Sequence, residues 1–215
     1  ATPSTATVTE MGFYSTHIVP RFIDKALGTP AMQEGRNAVA AGLSGTVLEI
    51  GFGSGLNVAS YPPEIELVYA VEPALIARKI AVPRIAASPI PIQYAGLHGE
   101  TVALDDNSCD GALCTFTLCT IPGVEQALAE LRRVLKPGGR FHFLEHGLAP
   151  DAKTQAWQRR LDPLEKRLAD GCHLTRDPVA LVRAAGFELE FVHSEYTKGP
   201  KPWVFMTFAQ AINPG

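Results

Sequence analysis

Short apolar runs alternate with amphipathic stretches along most of this 215-residue chain. The runs at 46–50, 66–71, 91–95, 111–116 and 140–146 have the length and composition of buried β-strands. Strands that alternate with helices of this length pair in parallel through right-handed crossovers. The pattern therefore predicts an α/β fold built on a doubly wound, mostly parallel sheet.

The strongest helical pattern covers residues 123–135, whose leucines and valines fall on one stripe. The sequence KPGG (136–139) follows it, and we expect a glycine there to end the helix in the left-handed cap conformation. Residues 74–87 form a second helical pattern, which Pro83 should kink or end.

The two ends of the chain complete the predicted architecture. Residues 187–196 and 203–211 alternate like two strands of a hairpin, which places one antiparallel C-terminal strand at the sheet edge or inserted in the sheet. Residues 1–45 precede the first strand and are predicted to be a helical cap segment that closes over the site at the strand ends. Residues 46–215 are predicted to be the catalytic domain.

Composition and charge exclude some kinds of partner. The net charge is −3 and no basic run is present, so we expect no nucleic-acid partner. No apolar run approaches the ~20 residues that span a bilayer, and the polar N-terminus lacks the layout of a signal peptide. We therefore expect a cytoplasmic protein with no integral membrane segment. The pattern leaves the oligomeric state open.

The four cysteines lie at positions 109, 114, 119 and 172. The first three are evenly spaced, which raises the question of a metal site. They match no CxxC pattern, however, and a period of five changes the face of a strand at each step. The sequence therefore favours buried structural thiols in a reducing compartment and predicts no metal site.

A glycine-rich loop follows the first strand in LEIGFGSG (48–55). The spacing is GxGxG, and Leu56 stands where the dinucleotide fingerprint has its third glycine. Glu49 would repel a pyrophosphate at this place, but it suits a ligand that carries an ammonium and a sulfonium. S-adenosyl-L-methionine (SAM) is such a ligand, and its carboxylate can still use the N–H groups of the loop.

A second acidic residue, Glu72, ends the second strand 17 positions after Gly55. A carboxylate at this place can accept hydrogen bonds from both ribose hydroxyls of an adenosine. SAM and NAD share that requirement, so Glu72 alone does not choose between them. Glu49 and Glu72 together favour cofactor binding over a plain strand-to-helix turn.

Four segments resemble motifs of the class I SAM-dependent methyltransferases: VLEIGFGSG (47–55), VEP (71–73), LDDNSCDGALCTFTLC (104–119) and LRRVLKPGGRFHFLEH (131–146). The resemblance covers about residues 45–210. It implies a Rossmann-like fold, SAM as cofactor and S-adenosylhomocysteine as product. Within the family, YPP, TLC, EH and DGCHLTR are similar to the quinone-biosynthesis and methyltransferase-like branch, in particular to members that methylate small alkyl thiols.

The resemblance also implies which residues bind the cofactor. The methionine part of SAM would lie on the loop of the first strand, with Glu49 near its amino group, and the second strand would hold the ribose and flank the adenine. His98 stands where relatives commonly have an acid or an amide, which puts its adenine contact in doubt. The implied residues are Glu49, Gly51, Phe52, Gly53, Gly55, Glu72, Pro73, Leu97, His98, Gly99, Glu100, Thr115 and Phe116.

Methyl transfer from a sulfonium is an in-line displacement, in which positioning supplies much of the rate enhancement. A base is needed only if the acceptor still carries a proton. The candidates are His146 at the end of the fifth strand, His173 in a covering loop, and Tyr14 in the N-terminal segment. Lining or structural roles are the alternatives for His173 and Tyr14.

The acceptor follows only from the branch resemblance, which favours a small hydrophobic thiol or sulfide. O- or N-methylation of a phenol, a quinol or a lipid amine is the alternative. Membrane-bound relatives of this branch carry an apolar N-terminal anchor that this sequence lacks, which disfavours a purely lipid substrate. A nicotinamide-dependent oxidoreductase and a non-catalytic SAM-binding module are the other hypotheses.

Overall fold

One mixed β-sheet runs through the part of the chain that the computed structural model describes, residues 19–215. The strands are β1 (Gly45–Ile50), β2 (Ile65–Val71), β3 (Ile92–Gly96), β4 (Cys109–Thr115), β5 (Leu135–His146), β6 (Glu188–Tyr196) and β7 (Phe205–Ile212). Their order across the sheet is β3-β2-β1-β4-β5-β7-β6.

Strands β1 to β5 pair in parallel, whereas β7 runs antiparallel between β5 and β6. This arrangement confirms the predicted doubly wound, mostly parallel sheet with one antiparallel C-terminal strand. The antiparallel strand is inserted in the sheet and does not lie at its edge.

Helices cover both faces of the sheet. They are α1 (Val19–Leu27), α2 (Pro30–Ala40), α3 (Leu75–Ala87), α4 (Val124–Val134), α5 (Ala152–Leu168) and α6 (Pro178–Ala184), with a 3₁₀ turn at Val58–Ser60. On one face α4 and α6 pack on Phe141 and Phe143, and on the other α2 packs on Leu144. Burying each such large side chain stabilises the fold by about 1.5–3 kcal/mol.

The expected glycine cap of α4 is wrong, and of the two outcomes expected at Pro83 the structure contradicts the helix end. Helix α4 ends at Val134, and its capping residue is Leu135, whose extended backbone (φ −75°, ψ 132°) leads directly into β5, so no glycine caps the helix. Gly138 has a φ of +78° but lies further on, in a turn where its N–H donates to the Asn213 carbonyl at 2.8 Å. Helix α3 continues through Pro83 to Ala87, so Pro83 does not end this helix.

The predicted N-terminal cap is described only from residue 19 onward, as α1 and α2. Thr29 caps α2, and its hydroxyl accepts a hydrogen bond from the Met32 N–H at 3.4 Å. Tyr14 lies outside the described residues. Among the described helices, none combines the length and the apolar character that a bilayer span requires.

Candidate active site

A cavity of about 390 Å³ opens at the carboxyl ends of β1, β2 and β4. The sheet is wound in opposite directions on the two sides of the β1–β4 pair, which is where doubly wound folds bind ligands. The described residues that form its wall include Ile23, Leu27, Arg36, Gly51, Phe52, Gly53, Asn57, Glu72, Pro73, Leu97, His98, Gly99, Glu100, Thr115, Phe116, Thr117, Thr120, Ile121, Pro122 and Asp170.

The glycine loop forms the floor of this cavity. Gly51, Gly53 and Gly55 have φ values of +76°, +56° and +78°, a region that residues with a Cβ rarely adopt. Gly51 also needs space, because a Cβ there would lie 1.9 Å from Thr117 Oγ1. Gly51 and Gly53 line the cavity, whereas Gly55 is not among the described lining residues.

Glu72 connects the glycine loop to the loop after β2. Its Oε2 accepts a hydrogen bond from the Gly53 N–H and its Oε1 accepts one from the Ala74 N–H, both at 2.7 Å. Burial raises the pKa of this carboxyl, and the two N–H donors oppose that shift. Since each carboxylate oxygen has further lone pairs, Glu72 can still accept hydrogen bonds from a ligand in the cavity.

Glu49 is completely buried and is not among the described residues that line the cavity. Its carboxylate accepts hydrogen bonds from Asn57 Nδ2 at 3.0 Å and from the Tyr61 hydroxyl at 2.5 Å. Burial raises the pKa of Glu49 to about 7. Asn57 does line the cavity, so Glu49 is connected to it through this amide, and its direct contact with an amino group stays a prediction.

Arg36 is a cavity residue that the sequence analysis missed. It lies in α2 and is 3% exposed, and its Nη1 donates to Asn57 Oδ1 at 2.7 Å and to Thr115 Oγ1 at 2.8 Å. Its Nε is buried and has no hydrogen-bond partner among the described residues. Burial lowers the pKa of the guanidinium, yet an arginine stays charged at neutral pH.

The loop after β3 forms another part of the cavity wall. All four of its predicted residues, Leu97 to Glu100, line the cavity. A Cβ on Gly99 would lie 3.0 Å from Ile50 Cγ2, so the loop approaches β1 closely. Glu100 Oε1 accepts a hydrogen bond from the Gly123 N–H at 3.2 Å. The structure therefore brings the predicted adenine loop to the same cavity as Glu72.

The segment 117–122 forms the far side of the cavity, beyond Thr115 and Phe116, which also line it. The buried carboxylate of Glu145, at the end of β5, accepts hydrogen bonds from the Thr117 N–H at 2.7 Å and the Leu118 N–H at 3.0 Å. Burial raises the pKa of Glu145 to about 6. Glu145 was part of a recognised motif, but its structural role could not be predicted from the sequence alone.

Neither described candidate for catalysis is among the residues that line the cavity. The Nε2 of His146 lies 3.1 Å from the Cys172 Sγ, and its Nδ1 is buried without a partner among the described residues. The backbone N–H of His173 donates to the Cys119 carbonyl at 2.9 Å. Burial lowers the pKa of the His173 imidazole. Their catalytic roles, and that of Tyr14, stay predictions.

The amino-acid sequence is similar to those of known methyltransferases. Residues 48–143 match a family model described as a methyltransferase domain. Over 174 residues the chain is 37% identical to human "Thiol S-methyltransferase TMT1A", covering 76% of this chain and 68% of that protein. It is 36% identical to rat "Thiol S-methyltransferase TMT1B", covering 74% of this chain and 66% of that protein. The chain thus spans about two thirds of the length of these relatives.

Solved structures share the fold at lower identity. A putative methyltransferase from Bacillus halodurans superposes with a TM-score of 0.71 at 17% identity, covering 86% of this chain and all (100%) of that one. A SAM-dependent methyltransferase from Thermotoga maritima, described as a possible histamine N-methyltransferase, superposes with a TM-score of 0.65 at 22% identity, covering 92% and 99%. These structures support the Rossmann-like sheet and not any particular acceptor.

Proposed function

This chain belongs to the SAM-dependent methyltransferases, and on that premise we propose that it transfers the methyl group of SAM to the sulfur of a small thiol. SAM is the methyl donor, and S-adenosylhomocysteine is the product that remains. The names of the human and rat relatives, at 37% and 36% identity, support a thiol as acceptor. The whole protein's physiological acceptor and its cytoplasmic location belong to this proposal.

The observation that carries the proposal is a single cavity in which both signs of charge are fixed beside a glycine floor. Glu72 suits the ribose hydroxyls, because its carboxylate is held rigidly by two backbone N–H groups at 2.7 Å. The positive charge of the Arg36 guanidinium, which lines the same cavity, suits an anionic group, such as the carboxylate of the methionine part. The floor at Gly51 and Gly53 lets a ligand approach the backbone closely.

The acceptor side of the cavity is apolar. Ile23 and Leu27 of α1, together with Phe116, Ile121 and Pro122, line it. Such a surface favours a small hydrophobic acceptor. A thiol, with an ordinary pKa near 8.5, is already a few per cent thiolate at neutral pH, whereas a phenol with a pKa near 10 needs a base. A thiol therefore needs less help from a base in this site than a phenol would.

In the proposed reaction, the acceptor sulfur forms a bond to the methyl carbon while the bond between that carbon and the sulfonium breaks. The acceptor thiol loses its proton to solvent, and a thioether is produced. The chain contributes by orientation and by excluding water. Glu72, Arg36 and the glycine floor fix the donor, and the apolar wall holds the acceptor in line with the breaking bond.

The experiment offers methyl-labelled SAM to the purified protein with alkyl thiols, sulfide, phenols, quinols and primary amines, and reads the products by mass spectrometry. We expect label on the thiols and formation of S-adenosylhomocysteine. The Glu72→Gln variant should label less at limiting SAM, and Glu130→Gln, at a carboxylate that is not among the described cavity residues, serves as its control. Label on phenols or amines but not on thiols would overturn the thiol proposal and keep the methyltransferase.

A further inference from the structure

A cluster of two cysteines and one histidine lies next to the cavity and has no part in the proposed donor site. Cys119 follows β4, His146 ends β5, and Cys172 lies in the loop after α5. Their Sγ and ring nitrogen atoms all lie within 4.8 Å of one another. Three segments distant in sequence therefore bring three metal-ligating atoms to one point.

We propose that Cys119, His146 and Cys172 form a binding site for Zn²⁺. Thiolate sulfur and imidazole nitrogen are the ligands that zinc prefers in proteins. The 3.1 Å between His146 Nε2 and Cys172 Sγ is short enough for both atoms to share one ion. This proposal replaces the expectation of structural thiols without a metal, and it goes beyond the proposed methyl transfer.

Burial supports a metal at this place. Cys119 and Cys172 are only 3% and 7% exposed. A Zn²⁺ ion with two thiolates and one neutral imidazole has no net charge, so the loaded site is compatible with a buried position.

The partner of the His146 ring nitrogen adds to this geometry. His142 and His146 each have one ring nitrogen in contact and one without a partner among the described residues. For His142 the contact is the Val39 carbonyl, 2.8 Å from Nδ1, which is an ordinary structural hydrogen bond. For His146 the contact is sulfur, because Nε2 lies 3.1 Å from the Cys172 Sγ and within 4.8 Å of the Cys119 Sγ. Imidazole nitrogen and thiolate sulfur are the atoms that share a Zn²⁺ ion in mixed cysteine and histidine sites.

The proposed site lies directly behind the far wall of the cavity. Thr117 and Thr120 line the cavity on either side of Cys119 in the sequence, and Asp170 lines it two residues before Cys172. The His173 N–H donates to the Cys119 carbonyl at 2.9 Å, which joins the same two loops through their backbones. A metal here would hold the loop around Cys172 against the ends of β4 and β5. Three protein ligands leave the fourth tetrahedral position to water or another donor.

The test titrates metal-free, reduced protein with Co²⁺, which reports its ligands by absorption, and then displaces it with Zn²⁺. We expect one equivalent to bind with thiolate-to-cobalt charge-transfer bands, and Zn²⁺ to remove them. Cys119→Ser, Cys172→Ser and His146→Asn should each weaken Co²⁺ binding at least tenfold. Cys109→Ser, at a buried cysteine outside the cluster, should leave the bands unchanged.

Wild-type protein that shows no charge-transfer band would overturn the proposal without reliance on any variant. A Cys119–Cys172 disulfide that persists under the reducing conditions of the titration would also overturn it. Peptide mass spectrometry would detect such a disulfide. Loss of the charge-transfer bands in the Cys109→Ser variant would mean that the metal binds at a different site. Because the readout is metal binding and not methyl transfer, this proposal and the proposed function can fail separately.

Discussion

Two walls of the cavity are each stabilised by a buried glutamate, but only one of these walls could be recognised from the sequence. The glycine wall comprises residues 51–55, 72–74 and 97–100, and the far wall comprises residues 117–122. In each, a buried glutamate at a strand end accepts hydrogen bonds from two backbone N–H groups. Glu72 holds the glycine wall through Gly53 and Ala74, and Glu145 holds the far wall through Thr117 and Leu118.

The difference lies in the distance along the sequence between each glutamate and the residues whose N–H groups it binds. Glu72 acts on a residue two positions away and on one 19 positions away, whereas Glu145 acts on residues 28 and 27 positions away. The glycine wall is therefore a local motif between two adjacent strands. The far wall is instead held from β5, a strand more distant in sequence, and its Cys119 belongs to the cluster with His146 and Cys172. Variants that affect one wall and spare the other test this comparison.

The largest effect is expected where the two walls touch. Gly51→Ala places a Cβ 1.9 Å from Thr117 Oγ1 and 2.3 Å from its Cγ2 in a left-handed backbone. We expect the free energy of unfolding to fall by about 3 kcal/mol or more, because overpacking adds to the backbone strain. Gly53→Ala is the control. It shares the left-handed backbone, but its Cβ would meet nothing closer than 3.9 Å.

Gly53→Ala should therefore cost only the backbone strain, about 1–2 kcal/mol. Urea unfolding of both variants, followed by circular dichroism, measures the difference. Equal losses in the two variants would mean that Thr117 moves away without cost, and the contact between the walls would then be unimportant for stability.

The second prediction concerns Glu49, which belongs to neither wall. Its carboxyl has a pKa of about 7 in the folded protein, against 4.5 as its ordinary value. The folded state therefore binds an extra proton between these values, and stability falls as pH rises from about 4.5 to about 7. Below this window both states are protonated and there is no penalty. Above it the penalty is complete, about 3 kcal/mol.

Glu49→Gln removes the titrating group, so we expect the variant to gain stability over wild type as pH rises through this window. Glu130→Gln is a control of opposite sign. Hydrogen bonds from Arg133 lower the pKa of Glu130, so its charged form stabilises the fold above its ordinary pKa. Thermal unfolding across pH, without SAM, measures both. If the stability of Glu49→Gln changed with pH in the same way as that of wild type, ionisation of Glu49 would have no cost in folding free energy.

The parts of the fold that the sequence predicted are those set by local patterns. Continuous apolar runs identified β1 to β5, because strands buried on both faces need no alternation. The glycine loop was recognisable from its GxGxG spacing directly after a strand, and Gly51, Gly53 and Gly55 all have a positive φ, which glycine adopts most readily. Glu72 was recognisable because it ends a strand adjacent to that loop.

The parts that could not be predicted depend on tertiary contacts. Arg36 lies in a short polar helix, and nothing nearby in the sequence shows that its guanidinium reaches Asn57 and Thr115, 21 and 79 positions away. The predicted glycine cap at the end of α4 was wrong because Leu135 pairs with Cys109. This pairing extends β5 back to the helix and overrides the glycine signal. Cys119 and Cys172 meet through a loop whose position only the fold defines.

The third prediction separates cofactor binding from the far wall. In Glu72→Gln the side-chain amide can accept from only one of the two N–H groups, so the other loses its partner. We expect the affinity for SAM to fall about tenfold, which corresponds to about 1.4 kcal/mol. Glu130→Gln is the control, because Glu130 Oε2 also accepts a hydrogen bond from a backbone N–H, that of Val102 at 3.2 Å, but Glu130 is not among the described cavity residues. Calorimetric titration with SAM measures both, and similar losses in the two would contradict the assignment of Glu72.

The smallest effect is expected for the far wall. Arg176 Nη1 donates to the Leu118 carbonyl at 2.6 Å and the Ile121 carbonyl at 2.8 Å, so it fixes this wall from the loop before α6. Arg176→Lys keeps the charge but loses the planar donor geometry, and a lost hydrogen bond costs about 1 kcal/mol. We expect the KM for the thiol to rise about fivefold while the Kd for SAM is unchanged.

The matched control for that variant is Arg132→Lys, since Arg132 makes a similar pair of bonds to Asn213 Oδ1 at 3.2 Å and the Gly215 carbonyl at 2.8 Å, and it is not among the described cavity residues. Steady-state kinetics with varied thiol, combined with SAM titration, separates the two parameters. A parallel loss in both would mean that the walls move together. A loss confined to the thiol would establish that the cavity binds its two substrates on independently held surfaces.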